Sequence, residues 1–129
     1  MAAAFIRFVT TRVHKDSHRQ EGVFAAAYAL LGSGSLDQEE WSQIREILIW
    51  FNKNLPTPPE RFSADRAIFW FKAGSKESIS HVWELVHALR LHGHLVEVHK
   101  CRRLANIAYE DEHQVAAYPS KLDSKVTIQ

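Results

Sequence analysis

The chain has 129 residues, 46% of them hydrophobic and 24% charged, with 16 Lys and Arg against 15 Asp and Glu. That length makes one domain, which buries roughly 65–70% of its extended surface on folding. The even charge balance carries no basic stripe of the kind duplex-binding proteins show, so nucleic acid is unsupported as a partner.

Cys101, the single cysteine, excludes an internal disulfide and suits a reducing compartment. The opening "MAAAFIRFVTTR" has too short an apolar run for a signal peptide, and nowhere does an apolar run approach the ~18 residues of a membrane span. A cytoplasmic protein with no membrane association is therefore expected.

In chain order, "FIRFVTT" (5–11) alternates as a strand, with Ile6 and Phe8 on one face and Arg7 on the other. "SHRQEGVFAAAYALLG" predicts a helix. Ser17 and Gln20 have capping-box spacing, Phe24, Ala27, Tyr28 and Leu31 recur at helical intervals, and Gly32 ends it. After the short "GSGS" connection, a second helix starts from Ser35 and Gln38 and doubles back, with Trp41, Ile44, Leu48, Phe51 and Leu55 on one stripe. Ile49 and Trp50 spill beyond that stripe. The prolines of "PTPPE" stop the helix, because each lacks an N–H and disfavours helix before it.

"AIFWFK" (67–72) predicts a strand with no polar face: Ile68 and Trp70 point one way, Ala67, Phe69 and Phe71 the other. Such a strand belongs in the middle of a sheet. "GSKES" opens a third helix carrying Ile79, Val82, Trp83, Val86 and Leu89 and ending at Gly93, and "LVEVH" (95–99) is the next strand. Strand, helix and strand at this spacing predict a βαβ unit with parallel strands and a right-handed crossover. "IAY" and "QVAAY" close as a hairpin around Glu110-Asp111-Glu112-His113, and residues 119–129 read as a loose tail on a domain of residues 1–118. The expected fold is α/β, leaning to α+β: a single mixed sheet in the order β-α-α-β-α-β-β-β with helices packed on it. Should all the helices share one face, the other aromatic face needs cover from the tail or from a second subunit.

The segments "GVFAAAY", "WFNKNLPTPPERF", "IFWFK" and "AYEDEHQVAA" together resemble a family of short bacterial proteins of uncharacterised function, over most of residues 5–118. The resemblance implies no activity, cofactor or partner.

No residue set reads as catalytic, and an enzyme is not the favoured expectation. The acidic tip suits a wet hairpin, since two carboxylates separate their pKa values only in different environments or around a metal. His92, His94 and His99, or His14 and His18, do not converge as zinc ligands at these spacings, so neither metal nor cofactor is expected. His99 and Cys101 share a strand face, but one Cys and one His lack the orienting group and oxyanion donors of a hydrolase.

Two surfaces remain. "WFKAGSKES" runs from a strand through a Gly/Ser turn to a helix N-terminus, which offers backbone donors to a phosphate or nucleotide. Its candidate residues are Lys72, Gly74, Ser75, Lys76 and Ser78, with Glu110 and Asp111 nearby if the tip folds beside them; no Walker or dinucleotide fingerprint is present. The plainer alternative is a capped helix with Ser75 or Ser78 as N-cap. The surplus apolar residues Ile49 and Trp50 suit a protein partner or self-association, because Trp is enriched at interaction hot spots. Contact with another protein is the first functional expectation, and a phosphate ligand, with hydrolysis as an extension, the second.

Overall fold

The computed structural model describes residues 4–13, 20–56, 67–118 and 127–128. Along the chain run β1 (Phe5–Val13), β2 (Gln20–Gly22), α1 (Val23–Leu31), α2 (Gln38–Asn54), β3 (Ile68–Lys72), α3 (Lys76–Leu91), β4 (Val96–Cys101), β5 (Ile107–Glu110), β6 (Gln114–Ala117) and β7 (Thr127–Ile128). The expected order β-α-α-β-α-β-β-β is present, with the short strands β2 and β7 added. Thr127 and Ile128, expected in a loose tail, pair with Lys100 and His99 of β4.

The sheet is ordered β5-β6-β3-β1-β4-β7, with β2 paired to β1. β3 is an inner strand, as its two-sided apolar sequence requires. It pairs with β1 (Ile6↔Phe71) and with β6 (Trp70↔Val115), both antiparallel. β4 is also antiparallel to β1 (Phe8↔Val98). β3 and β4 therefore point the same way, as a strand-helix-strand unit should. However, β1 is inserted between them, so the parallel neighbours expected from local sequence are not neighbours.

All three helices pack on one sheet face. Phe8, Phe71, Val96 and Val98 on the sheet meet Ala26 and Ala27 of α1, Ile44, Leu48 and Phe51 of α2, and Val82, Leu85, Val86 and Leu89 of α3. Phe71 is the keystone of the aromatic part, with ring centroids 6.4 Å from Phe8, 6.2 Å from Phe24 and 6.1 Å from Phe51. On the opposite face Val9, Trp70, His99, Cys101, Val115 and Ala117 are all buried within the single chain, and the Arg7 guanidinium lies 6.0 Å from the Trp70 ring centre. Trp70, at 6% exposure, thus needs no second subunit to shelter it. Phe69, on the helix side of the same strand, is 38% exposed.

Two helix starts differ from expectation. α1 begins at Val23 with Gly22 as N-cap. Gln20 to Gly22 are instead held in β2 by pairing with Val13 and Val9, and a long-range ladder outweighs a four-residue capping pattern. Ser17, like His14 and His18, lies outside the described residues. α2 is capped by Asp37, not Ser35. Asp37 Oδ1 accepts from Glu40 N–H at 2.8 Å, and Glu40 Oε1 accepts from Asp37 N–H at 3.1 Å. The Ser35 hydroxyl is engaged with Ser33 Oγ at 2.7 Å. Both patterns fit the capping-box spacing, but Asp37 adds a negative charge at the positive end of the helix dipole.

No helix among the described residues is long and apolar enough to cross a membrane.

Candidate functional site

Because β6 pairs with β3, with Gln114 opposite Phe71, the tip of the β5–β6 hairpin lies at the end of β3 where the chain turns into α3. Lys72 N–H donates to His113 C=O at 2.9 Å, and Ser75 N–H donates to Lys72 C=O at 2.9 Å. The Gly/Ser turn and the acidic tip, separate in sequence, are therefore adjacent.

Asp111 explains why the tip has this shape. Its Oδ1 accepts from the N–H groups of His113 at 2.8 Å and Gln114 at 3.0 Å. Its Oδ2 accepts from the Tyr109 hydroxyl at 2.6 Å and Gln114 Nε2 at 3.0 Å. Gln114 Nε2 also donates to Pro56 C=O at 2.9 Å, tying the tip to the chain after α2. Burial by itself would raise the Asp111 pKa, but these four donors outweigh it and hold the carboxyl below its ordinary value. The Tyr109 hydroxyl is pushed up, first by its hydrogen bond to that carboxylate, then by burial and the nearby negative charge. Asp111 is a brace for the turn with no lone pair to spare for a ligand.

What the brace presents is His113. Its Nδ1 lies 3.0 Å from Ser75 Oγ, across 38 residues of chain. Ser75 Oγ in turn donates to Ser78 Oγ at 3.0 Å. Which of Ser75 Oγ and His113 Nδ1 donates in this contact follows the tautomer of the ring. Ser75 occupies the N-cap position of α3 but makes no side-chain cap bond to the helix backbone.

A cavity of about 380 Å³ opens over this pair. Gly74, Ser75, Lys76 and Ser78 of the expected ligand set line it, with His113, Glu77 and Glu112. Lys72 and Glu110 do not line it; they pair with each other, Nζ to Oε2, at 2.5 Å. The charged lining is therefore one Lys against two Glu.

A larger groove, about 910 Å³, runs between α2 and α3. Ile44, Ile47 and Ala88 contribute apolar lining and Glu46, Glu84 and His87 polar lining, while Trp83 and Leu91 stand 40% and 69% exposed. Trp50 lines both this groove and the smaller cavity. Its ring is only half-buried, 4.1 Å from the His81 ring centre and 5.0 Å from that of Phe51. Ile49 is 38% exposed and lines neither space.

The remaining candidates are committed elsewhere. Cys101 is buried and its Sγ donates to Arg103 C=O at 2.9 Å. His92 Nε2 is 2.9 Å from Glu40 Oε2, joining the end of α3 to the start of α2, and His99 Nε2 is 3.1 Å from Glu97 Oε2. Among the described residues no group of three or more His, Cys, Asp or Glu side chains is placed to hold a metal ion.

Sequence reasoning missed two parts of this surface. In the sequence His113 reads only as part of an acidic tip, and nothing in its own spacing marks it as the partner of Ser75. The helical period assigns Trp83 to the core stripe of α3, but it is 40% exposed. It lies at the margin of the stripe formed by Val82, Leu85, Val86 and Leu89, and a rotation of about 100° per residue carries that signal.

Comparison of the chain with protein-family models, curated proteins and solved structures gives no match.

Proposed function

We propose that this is a cytoplasmic protein that works through contacts with protein, made by the α2–α3 face. One observation carries this: an open apolar groove is bordered by Trp83 and Leu91, which expose large side chains beside it. Isolated exposed apolar residues are ordinary, but a Trp and a Leu along one groove, rimmed by polar groups, are the pattern of an interaction site. The cytoplasmic assignment draws support from a lone cysteine buried as a thiol.

The test is a photoreactive benzophenone amino acid in place of Leu91 in the full chain, irradiated in cells. A discrete covalent adduct from position 91, absent when the same group replaces the exposed Lys53 of α2, is the expected result. Equal or no adducts from both positions would refute the assignment.

A second possibility is a small anionic ligand held over Ser75 and His113. It draws on the 3.0 Å contact between them and on the cavity their two segments form. It ranks second because Glu77 and Glu112 line the same space and oppose an anion. A thermal-shift screen of nucleotides and inorganic phosphate decides it. A ligand at ~100 times its Kd adds ~2.7 kcal/mol of stability, and His113→Ala should remove the shift. A flat panel eliminates the ligand.

A further inference from the structure

Resting on the α2–α3 face as the contact surface, we infer that its occupant is an amphipathic helix of a partner protein, with an apolar ridge flanked by Lys or Arg. The groove has the length and lining for it. On α3 the lining runs from Ser80 to Leu91, about 16 Å at 1.5 Å per residue, which seats about three turns of a helix. Ile44, Ile47 and Ala88 line it, and Trp83 and Leu91 expose apolar surface beside them. A groove of this kind receives the i, i+3, i+4, i+7 stripe of an entering helix.

The charge of the walls gives the occupant its sign. Glu46 stands on α2 and Glu84 on α3, and no Lys or Arg among the described residues lines the groove. The two helices run antiparallel, because His92 meets Glu40 at one end and Trp50 stacks on His81 at the other. That register sets Glu46 and Glu84 on opposite walls, near the middle of the groove. Arg45 is drawn to the Trp41 ring, 5.4 Å from its centre, and Arg90 to Val96 C=O at 2.9 Å. Among the described residues Glu84 is approached only by His81 Nδ1, at 3.9 Å, and 59% of its side chain is exposed. A second copy would add two more carboxylates to this pair, whereas a Lys or Arg placed between the walls attracts both. The formal net charge of the chain is +1, so the preference for a basic partner is local to the groove and is no property of the whole molecule.

Fluorescence anisotropy of the full chain with two labelled model peptides tests this. Each peptide is a helix of about 14 residues, roughly four turns, with Leu on one face; the other face is Lys in the first and Glu in the second. The Leu/Lys peptide is expected to bind about tenfold more tightly than the Leu/Glu peptide, and less tightly as salt rises. Glu46→Gln with Glu84→Gln should weaken its binding about tenfold. The melting temperature should not fall, because both side chains are exposed and of like sign. Glu46→Lys with Glu84→Lys should reverse the preference. Equal affinity for the two peptides, binding of neither, or a Lys preference that survives both double variants overturns the inference. The segment cross-linked from position 91 separates this from failure of the contact surface itself. A basic amphipathic segment supports the inference, an acidic segment or a second copy keeps the surface and removes the basic helix, and no adduct removes both.

Discussion

Phe71→Ala is expected to destabilise the protein by about 3–5 kcal/mol, the range for removing a buried aromatic ring. The ring is 8% exposed and sits between Phe8 on the sheet and Phe24 and Phe51 on two different helices. Its loss leaves a cavity that no single neighbour can fill, since each is anchored in a separate element. Phe69→Ala is the internal control. It removes the same side chain from the same strand and face, but 38% of that residue is already in water, so about 1–2 kcal/mol is expected. Urea denaturation of both variants measures the difference. Equal losses would mean that the helix-facing core is not centred on Phe71.

Asp111→Ala is expected to cost about 2–3 kcal/mol and to detach His113 from Ser75. Hydrogen bonds to an ionised group contribute about 1.5–3 kcal/mol, and this carboxylate accepts four while only partly shielded from solvent. Asp111→Asn should fall between. Its amide oxygen can still accept from the two backbone N–H groups, but its NH₂ meets the donors of Tyr109 and Gln114. The pH dependence has a defined sign. Since the folded carboxyl titrates below its ordinary value of 3.8, its stabilisation is complete above that value and is lost as pH falls through the folded pKa. The stability gap between wild type and Asp111→Asn should therefore be constant near neutrality and close only in strong acid. A gap that closed nearer pH 6 would show that another group holds the tip.

The fold was legible where one residue pattern had one physical outcome. The unbroken apolar run Ile68 to Phe71 called for an inner strand, and Trp70 and Phe71 are buried on its two faces although Phe69 is not, while the stripe Ile44, Leu48, Phe51 could only be a buried helix face. Where two outcomes shared a pattern, the sequence did not choose. Ser35 and Asp37 both carry a suitable residue three positions on, and the selection fell to charge. Gln20 suited a capping box, yet a ladder with Val13, formed by chain that local spacing does not sense, took it into a strand.

The candidate site was legible in halves. The 72–78 turn and the 110–113 tip could each be read locally, but their meeting depends on the register of β3 against β6. That register also reassigns the carboxylates. Asp111 is consumed in building the turn and Glu110 in neutralising Lys72, while His113, the residue least marked by the pattern, is the one that reaches across. Trp50, surplus to the stripe of α2, is partly buried at the edge of the core. The exposed apolar residues along the groove, however, are Trp83 and Leu91.

The insertion of β1 between β3 and β4 also shapes how the chain must assemble. Ile6 is flanked by Phe71 on one side and Lys100 on the other, so beyond its local pairing with β2 the earliest strand finds its long-range neighbours only after most of the polypeptide is available. Hairpin-like closure of nearby segments cannot complete this sheet, and distant pairing carries a high loop-closure entropy. Acquisition of the native state should accordingly be slow for a chain of this size. Until it is reached, the edge of residues 5–10 that β4 covers stays unpaired and prone to sticking, the stage at which a chaperone would be most useful.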